Sequence, residues 1–297
     1  MSEPIKTPAW ISEFEQRGVA IIPGVLDDAL IQPVIDEISA WVDQRAQVLF
    51  KRGEITDLHL EAPFQTRYGL LYKQSAKMQN GLDLMYSRGS AMFNFLHNKA
   101  LLDVMQSLVG PDISCNPIQH LRAKPPIDFE THKGPGFHNV SWHQDVGVMM
   151  AEAEASNIVT CWIPLVDATG ENGCMQAMPG LEPKKYIRHI AGVDTTIDPA
   201  LLPEIEPVSL PCKKGDLVLL NRFTPHCSTP NQTTDCRWSL DCRFQTTGHH
   251  TGRTAHPAFS VRGAPSDQFP AMDYQDWCDA WINAFENPRG EAGHRFE

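Results

Sequence analysis

The sequence predicts a mainly β protein, a barrel or jelly roll, with helices packed outside its sheets. Three observations predict it. From residue 112 onward, short apolar runs alternate with Pro, Gly and Asn clusters: ISCNPIQHLRA, FHNVSWHQDVGVMM, NIVTCWIPLV, GCMQAMPG, KKYIRHI, EPVSLPCK, DLVLLNRF and RWSLDCRFQTT. Eight such segments within about 135 residues are the spacing of an all-β core. Before residue 110 the apolar residues recur at helical spacing instead. No stretch approaches the roughly 20 apolar residues needed to span a bilayer. With 297 residues, the chain is long enough to bury a large core without disulfides or structural metals. One domain is expected over 1–297: a helical part with a lid loop over 1–110, the β core over 111–250, and a C-terminal extension over 251–297.

The elements follow in order. ISEFEQRG reads as a helix running into the apolar strand VAIIP, and Gly24 ends the pattern. Leu26, Leu30, Ile31, Val34, Ile35, Ile38, Trp41 and Val42 mark one face of a long helix. Asp27 and Asp28 suit its first turn, and Pro33 sits in that turn or kinks the helix. Residues 51–92 mix charges and aromatics and read as irregular, a long active-site loop or plain surface. FNFLHNKALLDVMQSLV (93–109) reads as a further amphipathic helix stopped by Gly110.

Charge and cysteine usage narrow the function. A net charge of −11 without any dense Lys/Arg run argues against a nucleic-acid partner. The eight cysteines, Cys115, Cys161, Cys174, Cys212, Cys227, Cys236, Cys242 and Cys278, form no CxxC pair. Zinc-ribbon and thioredoxin spacings are therefore absent, and reduced, buried thiols are expected. The first residues lack the basic start and apolar run of a secretory signal. These features together predict a cytoplasmic protein acting on a small molecule, away from nucleic acid and membranes.

The chemistry is carried by S-W-H-Q-D-V-G (141–147). His143 and Asp145 stand at i and i+2, so on a strand their side chains share a face. An imidazole and a carboxylate converging inside a barrel are two-thirds of a facial triad for non-haem iron(II). The third ligand must come from a distant strand. His226 is the best placed, just past the apolar run DLVLLNRF and 81 residues after Asp145. Three protein ligands leave open the positions that a bidentate 2-oxo acid and O2 require.

A 2-oxoglutarate co-substrate also needs a fixed cation for its distal carboxylate. Arginine suits this, since its planar fork binds a carboxylate through two bonds and stays charged when buried. Arg237 lies eleven residues after His226, and Ser228 between them offers a hydroxyl. A turn at 230–235 would set Ser228 and Arg237 on adjacent strands. Arg243 competes for the same role, because 237, 239, 241 and 243 share a strand face; Arg237 is preferred, with Arg243 turned to the substrate.

At these residues the chain resembles the phytanoyl-CoA dioxygenase family of iron(II)/2-oxoglutarate oxygenases. The resemblance runs through W-H-Q-D (142–145), C-W-I-P-L-V-D-A-T-G-E-N-G-C-M (161–175), P-G (179–180), K-G-D-L-V-L (214–219), H-C-S-T-P-N (226–231) and R-W-S (237–239). The opening E-F-E-Q-R-G-V-A-I-I-P-G-V-L (13–26) is similar too. It implies a double-stranded β-helix (cupin-like) core with helices on one sheet. It also implies Fe(2+) on His143, Asp145 and His226, with 2-oxoglutarate anchored by Arg237 and Ser228. Trp162 and His120, the latter four residues before K-P-P (124–126), match positions that line the co-substrate. Asp145 favours hydroxylation, because related halogenases replace the carboxylate with a small residue. Desaturation, epoxidation and rearrangement use the same triad. Two departures stand out. Pro179-Gly180 continues as Leu181-Glu182 rather than Ser-His, and G-H-H-T-G-R-T-A-H (248–256) has no counterpart and reads as a surface loop.

Two other functions remain distinguishable. A catalytically inactive barrel serving as a binding module would not need the full triad, and a zinc hydrolase on the same ligands would not need Arg237 or Ser228. For the substrate, Arg67, Tyr68, Tyr72, Lys73, His138, Trp142, Met149 and Arg243 are the candidate pocket residues.

Overall fold

The computed structural model describes residues 8–126, 139–191, 195–291 and 293–295. Helix α1 (Ala9–Arg17) leads into strand β1 (Val19–Ile22), followed by helices α2 (Asp28–Lys51), α3 (Phe64–Gln74), α4 (Ser90–Leu96) and α5 (Lys99–Val109). The strands are then β2 (Ile113–Cys115), β3 (His120–Lys124), β4 (Ile158–Pro164), β5 (Met175–Ala177), β6 (His189–Ala191), β7 (Thr195–Ile197), β8 (Val208–Leu210), β9 (Leu217–Asn221), β10 (His226–Ser228), β11 (Arg237–Thr246) and β12 (Phe259–Arg262). Helix α6 (Tyr274–Glu286) closes the series.

The helical stretch differs from its expectation in two places. Residues 51–92 are not irregular throughout, since α3 spans Phe64–Gln74. Its buried Tyr68, Leu71 and Tyr72 follow helical spacing that the surrounding charges obscured. The helix expected over 93–109 is split in two. Asn98 accepts a hydrogen bond from Leu101 N at 3.1 Å and so caps a new helix, α5. The long helix α2 runs unbroken through Pro33, with Asp27 as its N-cap.

The core is a double-stranded β-helix. The larger sheet has the order β1-β9-β4-β11-β2-β12, with β3 also paired to β11. Strand β11 is its spine: β4 pairs along one edge, while β3 and β2 share the other. The smaller sheet is β10-β5-β8. Chain 140–143 runs alongside it, through the His143–His226 bridge and a Ser228 N–H bond to Val140 O.

Strand alternation assigns the two faces of the larger sheet. On β11, Trp238, Leu240, Cys242 and Phe244 belong to the cluster that buries the helices. Arg237, Ser239, Asp241, Arg243 and Gln245 fall on the other face. Leu121 and Ala123 of β3 pack with the helices, so His120, Arg122 and Lys124 point inward. Phe64 stacks on Trp238 at 4.9 Å and Tyr68 meets it edge-on at 5.1 Å. A second cluster, including Val19, Trp162, Met175, Leu210 and Val218, fills the space between the sheets. The site lies beside it.

Candidate active site

The H-x-D segment is built by a short piece of extended chain that then turns. His143 forms a β-bridge with His226, and Asp145 opens a single 3-10 turn, Asp145–Val148. The segment is therefore not the regular strand that was expected. The shared face survives because Gln144 between them is extended, with φ −111° and ψ 142°. Its amide projects the opposite way, donating to Phe223 O at 2.6 Å and Lys185 O at 2.9 Å and accepting from Ile187 N at 2.7 Å. Three bonds on that side chain fix the direction of both neighbours.

His143, Asp145 and His226 meet, with one ligand atom from each lying within 4.8 Å of the others. All three are buried, and the imidazole centroids are 4.2 Å apart. Each ring is oriented through Nδ1: that of His143 donates to Ser141 O and that of His226 to Thr224 O, both at 2.9 Å. Donation at Nδ1 leaves the Nε2 lone pair of both rings free for a metal. Burial, then His226, pushes the His143 imidazole down to about 3, so it is neutral and ligand-competent at pH 7.

Asp145 is held at both oxygens. Thr160 Oγ1 donates to Oδ2, and Arg243 Nη2 donates to Oδ1. Burial raises the carboxyl's pKa, but Arg243, His226 and His143 outweigh burial and hold it well below the usual range. Arg243 also donates to Ile118 O at 3.1 Å and lies 3.5 Å from Asp241. It is thus committed to Asp145, which leaves Arg237 as a cavity arginine without a carboxylate among the described residues.

A cavity of about 400 Å3 opens on the triad, and its walls include Trp162, His120, Ser228 and Arg237. Arg237 is 3 % exposed. Among the described residues its one side-chain hydrogen bond goes to Ser239 Oγ at 2.6 Å and its Nε has no partner, while its guanidinium lies 5.2 Å over the Trp162 ring. No carboxylate pairs with it among the described residues. A buried cation with open donors is the complement of a carboxylate ligand. Ser228 and Arg237 are not on adjacent strands as expected. β10 belongs to the smaller sheet and β11 to the larger, so the chain crosses between sheets and the two groups approach from opposite walls.

Lys124, a mere sequence marker until now, is part of this wall. Its Nζ donates to Ser228 Oγ at 2.8 Å and Asn139 Oδ1 at 3.1 Å. Val140 N also donates to Ser228 Oγ at 3.1 Å. With its oxygen accepting twice, Ser228 keeps its hydroxyl proton for a further acceptor. Burial, then Arg237, lowers Lys124 to about 6. Room for the Lys124 stem comes from Gly173 (φ +87°), where a Cβ would lie 2.7 Å from Lys124 Cδ.

The other candidates divide. His120 lines the cavity, and its Nδ1 bonds Asp83 Oδ2 at 2.9 Å. Tyr68 borders a small adjoining space with Lys124 and Arg237. Met149 is a core residue with Ile118, Ala153 and Ile158. Tyr72 is buried among the helices, Arg67 pairs with Asp43, and Lys73 is exposed; none of these lines the cavity, nor does Trp142. His138 lies outside the described residues. The segment 248–256 is not a surface loop at its centre: Thr251, Gly252 and Arg253 are buried, and Arg253 lines the cavity. Sequence reasoning missed Arg122, Lys124 and Arg253. The alternation H-L-R-A-K in β3 signals the first two, whereas nothing local signals the third.

The phytanoyl-CoA dioxygenase family profile matches residues 14–239. Phytanoyl-CoA dioxygenase domain-containing protein 1 of Mus musculus is 26% identical over 307 aligned residues, covering 90% of this chain and 98% of its own. The methylphosphonate hydroxylase of Gimesia maris is 30% identical over 242 residues, covering 79% and 78%. Among solved structures, the non-heme monooxygenase ThoJ in its apo form superposes with a TM-score of 0.59 at 18% identity, covering 93% of each chain. Within that shared fold and a match running from α1 into β11, the chain belongs to the phytanoyl-CoA dioxygenase family.

Proposed function

We propose that His143, Asp145 and His226 hold a single Fe(II), and that Arg237 with Ser228 receives the distal carboxylate of 2-oxoglutarate beside Trp162 and His120. The enzyme is an Fe(II)/2-oxoglutarate-dependent dioxygenase of its family, and the reaction favoured is hydroxylation of an unactivated C–H in a small organic molecule. The observation that carries this reading is the donor set itself: two Nε2 atoms and one carboxylate converging on a cavity whose far wall holds an arginine with no carboxylate partner among the described residues. Bound there, iron and 2-oxoglutarate supply O2-dependent C–H oxidation, with 2-oxoglutarate leaving as succinate and CO2.

The chain's own part is positioning. Ser141 and Thr224 carbonyls fix the tautomers. Thr160 and Arg243 hold Asp145 ionised and turned toward His143 and His226. Arg237 sets the depth at which a dicarboxylate sits, and Trp162 shields that ion pair from water. The inactive-barrel reading has no use for so complete a donor set.

We assign the whole chain, 1–297, to one oxygenase domain. The C-terminal segment supports this by returning to the site, where Arg295 N donates to Gly147 O at 3.1 Å and His294 lines the cavity. A cytoplasmic setting is supported by eight cysteines without a disulfide, seven of them buried; among the described residues no helix is long and apolar enough to cross a membrane.

The test is direct. His143→Ala and His226→Ala abolish O2-dependent conversion of 2-oxoglutarate to succinate while circular dichroism stays native. Full turnover in either variant removes the metal assignment.

A further inference from the structure

Once the iron and the co-substrate have their ligands, two arginines on the cavity wall are left over. Arg243 is spent on Asp145 and Asp241, and Arg237 is assigned to 2-oxoglutarate. Arg122 and Arg253 remain, and both line the cavity. Arg253 is only 7% exposed. Its Nε donates to Val148 O at 3.2 Å and its Nη2 to His294 Nε2 at 2.9 Å. Its Nη1 has no hydrogen-bond partner, and no carboxylate pairs with it, among the described residues. Arg122 is half-buried in the middle of β3 and makes no side-chain hydrogen bond to a described residue.

The charges around the cavity do not cancel. Fe(II) and doubly ionised 2-oxoglutarate cancel each other, and Asp145 and Asp241, both beside Arg243, together balance the charges of Arg243 and Arg237. Asp83 answers Arg122, whose field it shares with His120. Burial, then Arg253, pushes His294 down to about 4, so this imidazole is neutral and compensates nothing. Burial, then Arg243, lowers Arg253 itself to about 10, which still leaves it a cation at pH 7. Among the described residues one buried guanidinium is therefore uncompensated, and such a charge is costly unless a ligand pairs with it.

Resting on the function proposed above, we propose that the primary substrate carries an anionic head group, a carboxylate or a phosphonate, and that Arg253 is its receptor, with Arg122 as the second cation. Nη1 supplies an open donor. Nη2, now shared with a neutral imidazole, is available to a stronger acceptor. Thr195 Oγ1, bonded to His294 Nδ1, stands at the same place. The rest of the substrate is short and apolar, since Met85, Val140 and Val148 line the remaining wall and the 400 Å3 must also take 2-oxoglutarate.

The full chain loaded with Ni(II) and 2-oxoglutarate is titrated by calorimetry with butanoate, propylphosphonate, butanamide and butylamine. The two anions are expected to bind at least tenfold tighter than the amide and the amine, and their order identifies the head group. Amide or amine binding as tight as the anions overturns the proposal. Arg253→Gln is expected to erase the anion preference and Arg253→Lys to keep part of it; an undiminished preference in Arg253→Gln overturns the assignment to this residue. Anion affinity that falls in proportion to added 2-oxoglutarate places the anion at Arg237 and overturns it as well. Failure of Ni(II) and 2-oxoglutarate to bind at all strikes the parent reading first, and this one with it.

Discussion

The two faces of β11 carry opposite chemistry. Toward the helices stand Trp238, Leu240, Cys242 and Phe244, each fully buried in a continuous apolar cluster. Toward the cavity stand Arg237, Ser239, Asp241, Arg243 and Gln245, and four of these five are buried as well. Burial is nearly equal on the two sides, yet its energetic meaning differs. On the helix side it stabilises by removing apolar area from water, at about 25 cal/mol per Å2. On the cavity side it costs desolvation, which only specific partners repay. Arg243 has such a partner in the protein, in Asp145. Arg237 has none among the described residues, and in the proposed function its partner is the 2-oxoglutarate carboxylate. The strand thus divides labour by alternate residues: one face holds the fold and the other holds the site in readiness.

Substitutions along the strand break or sharpen this contrast, and the largest effect belongs to the helix face. Trp238→Ala removes a fully buried ring that touches Phe64 and Tyr68 and is expected to cost about 3–5 kcal/mol in urea unfolding. Trp238→Phe should cost far less, because the indole Nε1 has no partner to lose. Next comes Arg243→Met. It leaves the Asp145 charge buried with Thr160 as its remaining protein donor, and costs about 3 kcal/mol in the metal-free protein. Saturating Ni(II) should shrink that deficit, since the metal replaces the missing cation; an equal deficit with and without metal would contradict the clamp role.

Arg237→Ala should raise the KM for 2-oxoglutarate about 100-fold, the loss of two charge-assisted hydrogen bonds. Unlike Arg243→Met, it should leave the thermal midpoint of the ligand-free protein equal or higher, because an unpaired buried cation is removed. A drop of several degrees would show that Arg237 is structural.

The smallest effect is a pH slope. Lys124 titrates near 6 in the folded chain against about 10.4 unfolded. Between these values the unfolded chain binds more protons, so Lys124 makes stability rise with pH, and that contribution is lost as pH falls toward 6. Lys124→Met should flatten the rise between pH 6.5 and 9 measured by urea unfolding; an unchanged slope would remove Lys124 as its source.

Much of the site was legible because its signals are local. The H-x-D spacing works over three residues, and the extended Gln144 is all that the shared face requires, even without a regular strand. His226 was found because it follows a readable apolar run, and Arg237 because it lies eleven residues further on, at the start of the next one. The helix α3 was not read, since Phe64, Tyr68, Leu71 and Tyr72 were diluted by charged neighbours. Arg253 was placed at the surface for a different reason. Its segment has no periodicity, and only its packing against Val148 and His294 buries it.

By itself, then, the sequence determined which side chains are offered to the proposed iron and co-substrate, and which of them share a face, because alternation along extended chain is a property of the local backbone. The tertiary structure alone decided what those atoms do to one another. Arg243 meets Asp145 across 98 residues of sequence, Ser228 faces Arg237 from the opposite sheet rather than the next strand, and Arg253 reaches the cavity without a carboxylate among the described residues. Each depends on how two sheets close over one another, and the resulting balance of buried charge has no local signature.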